Sequence, residues 1–155
     1  MIIPFTKTTL GKEEKKAISD VIDSGWVVMG PKTQEFEEKF ADYMGAKYAV
    51  FVDSGTAALF LALKWFQKSY LGLGTVFIPS LTFTSTAEVI VNSGSIPFFV
   101  DINKNTFCLD NFIDLNHFSI PVHLTGNRAN TRSGIYDSAH RIEKNDVVNR
   151  DGLHC

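Results

Sequence analysis

The spacing of apolar residues predicts two helices near the start of the chain. Lys12–Asp23 carries apolar residues on one helical face and charged residues on the other, so an amphipathic helix is predicted that ends at Gly25. A second helix is predicted to begin at Pro31, because the missing N–H of proline costs nothing in a first helical turn. Large apolar residues then recur every four positions before Gly45, which favours a half-buried helix.

A short apolar run, a polar break and a third helical pattern follow. Residues 48–52 are β-branched and aromatic enough to predict a buried strand, and residues 57–66 have the composition of a helix. Where this helix begins, the first backbone N–H groups lack intrahelical partners and the helix dipole is positive. An anion such as a phosphate is therefore stabilised there. The alternative is that Ser54 only caps the helix.

Four further apolar runs complete a predicted sheet. The predicted strands are Thr75–Pro79, 96–101, 119–124 and 134–137, with a helix to about Asn92 between the first two. Nearly unbroken apolar strands that alternate with helices predict an α/β fold of three layers, with helices on both faces of a mainly parallel sheet. Ligands of such sheets collect beyond the carboxyl ends of the strands, where segments 54–56 and 80–86 and Asp101 fall.

The end of the chain is less regular. About ten residues join the strands 119–124 and 134–137, which is the lower limit for a parallel crossover. Residues 146–155 are predicted to form an edge hairpin or a strand.

Composition and charge narrow the classes of function. The 155 residues are 45% hydrophobic, which suits one globular domain with a core. A net charge of -2 with scattered Lys and Arg gives no electrostatic footprint for nucleic acid. No apolar run is long enough to cross a membrane, and the first residues are not typical of a signal peptide. The two separated cysteines indicate reduced thiols, so a cytoplasmic protein is expected.

Common metal and nucleotide motifs do not occur in the sequence. Four separated His residues, without an HxxxH pair or a cysteine partner, do not indicate a metal site. No GxGxxG follows the first predicted strand and there is no Walker A loop, so a plain nucleotide-binding domain is disfavoured.

Six groups of residues occur in an order that is typical of one family. They are Gly30-Pro with Glu-Phe-Glu at 35–37, Ser-Gly-Thr-Ala-Ala-Leu at 54–59, Pro-Ser-Leu-Thr-Phe-Thr-Ser-Thr at 79–86, Pro-Phe-Phe-Val-Asp at 97–101, Pro-Val-His-Leu-Thr-Gly at 121–126 and Asp-Ser-Ala-His at 137–140. In this order they resemble the DegT/DnrJ/StrS sugar aminotransferases, which are pyridoxal-phosphate enzymes of fold type I. The resemblance implies amino transfer from glutamate to a nucleotide-linked keto-sugar, in amino sugar and polysaccharide biosynthesis. It also implies a homodimer with the active site at the subunit interface.

The resemblance assigns the cofactor phosphate and ring to two of these motifs. Gly55, Thr56 and Ala57, after Ser54, would hold the phosphate through backbone amides and the Thr56 hydroxyl. Phe83 is similar to the aromatic residue that stacks on the pyridine ring. Without the resemblance, Phe83 would be interpreted as one more core residue at the start of a helix.

The resemblance also gives roles to an acid and two histidines. Asp137 matches the carboxylate that pairs with the pyridinium nitrogen and keeps it protonated, so that the ring can accept electrons from the substrate. His140 matches a residue near the phenolic oxygen, and its spacing of three from Asp137 would place both on one helical face. His123 is a candidate for substrate or cofactor contact, with a structural role as the alternative. A lone Asp at a strand end would otherwise be read as a helix cap.

The sequence departs from the family at its defining lysine. That lysine holds the cofactor as a Schiff base and lies some tens of residues beyond the Asp-x-x-His motif, whereas Lys144 follows His140 by four residues and no lysine follows it. Residues 1–155 are therefore expected to be a truncated large domain, without the Schiff-base lysine or the small carboxyl-terminal domain, and inactive alone. The connectors after Asp101 and His123 are also short, so apolar surface is expected to be exposed on one face of the sheet.

Two further functions remain open at this point. One is a lysine-free deoxysugar dehydratase that works with pyridoxamine phosphate, a relative in which a histidine replaces the lysine. The other is a non-catalytic remnant, an interaction module that keeps the sheet without the chemistry.

Overall fold

The chain is divided into two units. The computed structural model describes residues 7–69, 74–109, 118–129 and 135–142, and the backbone of residues 153–154. The first unit is Met1–Phe36 and the second is Glu37–Cys155. The first unit holds helix α1 (Lys12–Asp23) and the start of helix α2 (Pro31–Met44), and the second holds all later elements. Within the described ranges, no helix has the length and apolar content needed to span a membrane.

Helix α1 has the predicted bounds and is capped at both ends. The N–H of Gly11 donates to Oε2 of Glu14 at 2.6 Å, and this hydrogen bond lowers the pKa of the Glu14 carboxyl. At the other end the N–H of Ser24 donates to the Asp20 carbonyl at 3.1 Å, and Gly25 follows with φ +71°. No residue of α1 is buried, so its apolar face is exposed.

The second unit is an α/β arrangement, as predicted. Its helices are α3 (Gly55–Ser69) and α4 (Thr84–Ser93), with a 3₁₀ turn at Leu124–Gly126. Its strands are β1 (Thr75–Pro79), β2 (Ile96–Val100), β3 (Ile135–Tyr136) and β4 (Leu153–His154). Helix α4 ends at Gly94, which has φ +91°, as the sequence predicted. Of the element predicted at 146–155, the structure describes residues 153–154, which form β4 and pair parallel to β3.

The described strands run parallel and join into one order. β1 pairs with β2, and on its other side Phe77 bridges Ser119. Val122 in turn bridges Asp137, directly after β3, and β3 pairs with β4. The order across the sheet is therefore β2, β1, the extended segment 119–122, β3 and β4. All carboxyl ends of these strands lie at one edge, which is where ligands bind in parallel sheets.

The core lies between this sheet and helices α3 and α4. Its buried members are Leu59, Ala62, Leu63, Val76, Ile78, Val89, Ile90, Ile120 and Ile135. Val76 and Ile78 are alternate residues of β1 and therefore share one face of the sheet. Phe77 lies on the opposite face, where its ring contacts Phe98 at a centroid distance of 4.9 Å. Phe98 is half exposed, which agrees with the apolar exposure expected from the short connectors.

The prediction of a buried strand at 48–52 was wrong. These residues form no strand, and Tyr48 and Val50 are 75% and 77% exposed. The N–H of Phe51 donates to Oε1 of Glu37 at 2.7 Å instead of to a neighbouring strand. The physical reason is that strand composition needs a partner strand, and the described residues place none beside this segment.

Candidate functional site

A cavity of about 390 Å³ opens at the carboxyl ends of the strands, within the second unit. It is lined by Gly55, Thr56, Leu59, Leu81, Thr82, Phe83, Ser85, Val122, Leu124, Asp137, Ala139 and His140. Small-molecule sites have volumes on the order of 300–1,000 Å³. The resemblance gave cofactor or substrate roles to eight residues, and five of them line this cavity: Gly55, Thr56, Phe83, Asp137 and His140. The other three are Ser54, Ala57 and His123. Asp101 is exposed and is not among the lining residues.

The start of helix α3 forms one end of this cavity. Ser54 caps the helix, because its Oγ accepts the Ala57 N–H at 3.2 Å and its carbonyl accepts the Ala58 N–H at 3.0 Å. Neither Ser54 nor Ala57 lines the cavity. Gly55 and Thr56 do, and within the described part of the chain their N–H groups donate to no acceptor. Ser54 is therefore an N-cap, and the amides available to an anion are those of Gly55 and Thr56.

Phe83 stands at the entrance to helix α4 and is not a core residue. Its side chain is 75% exposed and lines the cavity. It occupies the N-cap position of α4 in an extended conformation, and its carbonyl accepts the Thr86 N–H at 3.1 Å. This backbone conformation fixes Phe83 at the cavity wall, where a flat ring could stack on its face.

Asp137 is held in the sheet by its backbone and in the cavity wall by its side chain. Its N–H donates to the Pro121 carbonyl and its carbonyl accepts the His123 N–H, each at 3.0 Å. Oδ2 accepts the Thr86 hydroxyl at 3.0 Å, and Oδ1 accepts the Ala139 N–H at 3.3 Å. The carboxylate is only 8% exposed and lines the cavity, so it is a buried acceptor with a fixed position.

His140 lines the cavity beside Asp137, but the two do not share a helical face. The Arg141 N–H donates to the Ser138 carbonyl at 3.0 Å, and residues 139–140 form a turn. The expected shared helical face was therefore wrong for the described residues, because residues 139–140 form a turn and residues 141–142 do not continue it as a helix. Nδ1 of His140 accepts the Thr125 N–H at 3.1 Å, so the neutral ring carries its proton on Nε2.

The turn that supplies this N–H is strained. Thr125 has φ +54°, in the left-handed region that disfavours a β-branched residue. The Arg141 guanidinium donates through Nη1 to the Gly126 carbonyl at 2.8 Å, which ties the 3₁₀ turn to the turn that carries His140. Strained residues persist where surrounding contacts hold them, and they cluster at functional sites.

His123 does not line the cavity. It is fully buried, its Nδ1 accepts the Ala129 N–H at 3.2 Å, and its ring lies 5.6 Å from the ring of Tyr136. Its neighbours Val122 and Leu124 line the cavity, and successive residues of an extended chain face opposite sides. Its position supports the structural alternative rather than contact with substrate. Lys144 lies outside the described residues.

Sequence reasoning missed a pair of hydrogen-bonded hydroxyl residues beside Asp137, Thr82 and Thr86. Thr82 lines the cavity, and its Oγ1 lies 2.9 Å from Oγ1 of the fully buried Thr86. Both belong to the run of Ser and Thr at 80–86, for which the sequence predicts a place beyond a strand end and within one family motif but no role for either threonine. A spacing of four residues around a helix start was the available signal, since it places two hydroxyls side by side.

The fold and the site define an α/β protein with a small-molecule cavity at the carboxyl ends of parallel strands. Solved structures share this fold. GDP-4-keto-6-deoxy-D-mannose-3-dehydratase of E coli, solved with bound hydrated PLP, is 28% identical with a TM-score of 0.76 over 86% of this chain and 40% of that one. Spr1654 of Streptococcus pneumoniae, named as a sugar aminotransferase and solved in its PMP form, is 27% identical with a TM-score of 0.75 over 90% and 43%.

The family follows from the sequence match. Residues 8–133 match the DegT/DnrJ/EryC1/StrS aminotransferase family, and the chain belongs to it. It is also similar to the spore coat polysaccharide biosynthesis protein SpsC of Bacillus subtilis, at 47% identity over 109 residues. That match covers 70% of this chain but 27% of SpsC, so the chain spans well under half the length of these relatives.

Proposed function

We propose that this chain is the cofactor-binding part of a sugar aminotransferase and that its cavity holds pyridoxal or pyridoxamine phosphate. One observation carries the proposal: the start of helix α3 and the carboxylate of Asp137 line the same cavity, although they are distant in the sequence. Two solved relatives support it, since one holds hydrated PLP and the other is in its PMP form.

The end of the cavity at helix α3 fits a phosphate. Gly55 and Thr56 offer backbone N–H groups at the positive end of a helix of 15 residues. A Cβ built on Gly55 meets nothing within 4 Å, so the space beside this residue is open to a ligand. The Thr56 hydroxyl adds a donor to the same oxygens.

The other end fits a pyridine ring with a basic nitrogen. The exposed face of Phe83 offers a stacking surface, and Asp137 offers a buried acceptor for a ring N–H. His140, with its proton on Nε2, can donate to a ring oxygen. When bound, pyridoxal phosphate supplies an electron-withdrawing ring that stabilises negative charge at a substrate carbon. The chain's own part is to bind the phosphate, orient the ring and hold its nitrogen against an acid.

The partners follow from the class of enzyme. We propose glutamate as amino donor and a nucleotide-linked keto-sugar as acceptor, in a cytoplasmic pathway for amino sugars of a polysaccharide. The name of SpsC, a polysaccharide biosynthesis protein, supports the last point. A lysine beyond the family match at residues 8–133 would transfer the substrate proton. Association of two copies would cover the exposed apolar residues of β2, among them Phe98 and Phe99.

Titration with pyridoxamine phosphate tests this function, because this form of the cofactor needs no lysine. Ring fluorescence is expected to show saturable binding to the 155-residue chain. Asp137→Asn should weaken binding about tenfold or more, since a hydrogen bond to a charged group is lost. Asp101→Asn is the matched control, because Asp101 is exposed outside the cavity, and it should bind normally. A wild-type chain without binding would indicate the non-catalytic remnant.

A lysine-free dehydratase is the second candidate, favoured by the similarity to the E coli dehydratase. The two candidates differ in how they hold pyridoxal phosphate. In a protein that spans the full length of the relatives, borohydride reduction followed by mass spectrometry should find a pyridoxyl group on a lysine if the protein is an aminotransferase. An unlabelled protein that still binds pyridoxamine phosphate would be a dehydratase.

A further inference from the structure

Two threonines and the acid of the cavity form a chain of hydroxyl hydrogen bonds. Thr86 lies on helix α4 and Asp137 follows β3, and 51 positions separate them in the sequence. Oγ1 of Thr86 nevertheless donates to Oδ2 of Asp137 at 3.0 Å, and Oγ1 of Thr82 lies 2.9 Å from Oγ1 of Thr86. Thr86 is fully buried, so water does not compete for its hydroxyl.

The number of hydroxyl protons fixes the direction of these two hydrogen bonds. A carboxylate only accepts, so the single hydroxyl proton of Thr86 belongs to the bond with Asp137. Thr86 therefore has no proton left for Thr82, and the Thr82 hydroxyl must donate to Thr86. Both protons are directed towards the acid. A hydroxyl that accepts one hydrogen bond becomes a stronger donor in the next, which strengthens the bond to the carboxylate.

The same carboxylate is fixed at its second oxygen by the backbone. The Ala139 N–H donates to Oδ1 at 3.3 Å. One anchor on each oxygen sets the rotation of the carboxylate group, while the remaining lone pairs stay available on the side of the cavity. The hydroxyl anchor comes from helix α4 and the amide anchor from the turn after β3, so two separate elements define one orientation.

We propose that Thr86, itself oriented by Thr82, is a positioning residue that turns the Asp137 carboxylate towards the ring nitrogen of pyridoxamine or pyridoxal phosphate. The inference rests on the proposed function and deepens it. Thr86 acts through Asp137 and does not touch the cofactor. Loss of the Thr86 hydroxyl should therefore lower the affinity only for ligands that carry a ring nitrogen. Binding of the phosphate at helix α3 should not change.

The test compares pyridoxamine phosphate with its 1-deaza analogue, in which carbon replaces the ring nitrogen, by fluorescence titration of the full chain. Thr86→Val keeps the side-chain shape and should weaken pyridoxamine phosphate about tenfold while leaving the analogue unchanged. Thr86→Ser keeps the hydroxyl and should restore the wild-type ratio of affinities. Thr56→Val, at the phosphate end, is the control that should weaken both ligands by the same factor.

The outcomes separate this inference from the function on which it rests. If the wild-type chain binds neither ligand, both are overturned. If Asp137→Asn loses the preference for the ring nitrogen but Thr86→Val keeps it, the proposed function stands and the inference is overturned. Should Thr86→Val fail to fold, Thr82→Val removes the half-buried first donor instead. Thr82→Val should lower the ratio of the affinity for pyridoxamine phosphate to the affinity for the 1-deaza analogue about threefold. An unchanged ratio would again overturn the inference.

Discussion

Among the described glycines of the second unit, two combine open space beside the Cα atom with an ordinary φ, and one of these two lines the cavity. A Cβ added to Gly55 or to Gly74 meets nothing within 4 Å, and neither residue has a left-handed φ. Gly55 is the first residue of helix α3 and lines the cavity, whereas Gly74 precedes β1. The space beside Gly55 is thus available to the phosphate of the proposed function.

Gly55→Ala should therefore separate binding from stability. In helices alanine is favoured over glycine by about 0.5–1 kcal/mol, so the unfolding temperature should stay equal or rise. The added methyl group occupies the space proposed for the phosphate, so the affinity for pyridoxamine phosphate should fall about tenfold, as expected for an overpacked contact. Calorimetry and fluorescence titration measure the two effects. Gly74→Ala is the control and should leave binding unchanged; equal binding by both variants would contradict a phosphate site here.

Among the individual residues of the site, the sequence indicated some and not others. Asp137 and His140 belong to one short motif, so their proximity could be read from the chain itself. Thr86 could not be found in this way, because its hydroxyl matters only through a partner 51 positions away. His123 lies within a motif but faces away from the cavity, since the sequence does not show which face of an extended segment is turned towards a ligand.

At the scale of elements, helix α3 caps the carboxyl end of helix α4. Nζ of Lys64 donates to the Ser93 carbonyl at 2.8 Å. Nε2 of Gln67 lies within hydrogen-bond distance of the same carbonyl, of the Ser93 hydroxyl and of the Ser95 hydroxyl, at 2.9–3.1 Å. A cation and an amide thus satisfy the last carbonyl of α4, that of Ser93, and stabilise the negative end of the helix. This contact holds α4, and with it Thr86, against α3.

Gln67→Ala is expected to destabilise the second unit by about 1–2 kcal/mol, because the partly buried polar groups of Ser93 and Ser95 lose one of their hydrogen-bond donors. Urea unfolding followed by circular dichroism should show a lower midpoint with an unchanged slope. Lys68→Ala is the matched control on the same helix, since Lys68 is exposed, and it should shift stability by less than about 0.5 kcal/mol. Equal midpoints for the two variants would argue against this cap.

The elements that the sequence predicted well carry their own boundary signals. Pro31 begins α2, and Gly25 and Gly94, both with left-handed φ, follow the ends of α1 and α4. A strand has no comparable local signal, because its hydrogen bonds lie on another segment. The run at 48–52 has strand composition, yet the described residues place no strand beside it, and it is exposed.

At the scale of the whole molecule, the sheet has an apolar edge. β2 pairs with β1 on one side, and on its other side the described residues place no strand. Ile96, Phe98 and Phe99 are each more than half exposed. An edge strand with large apolar residues favours pairing with another chain, and exposed apolar patches mark interaction surfaces. The proposed association of two copies would bury this surface.

Substitution at this edge should change association without changing the cavity. Ile96→Thr with Phe99→Thr keeps strand propensity but removes apolar area, so sedimentation velocity should show a shift from associated species towards monomer at equal concentration. Leu61→Gln removes a similarly exposed apolar residue from helix α3 and should leave the distribution unchanged. Binding of pyridoxamine phosphate should persist in the edge variant, because neither residue lines the cavity. A distribution that responds equally to both changes would show that association is not specific to the edge of β2.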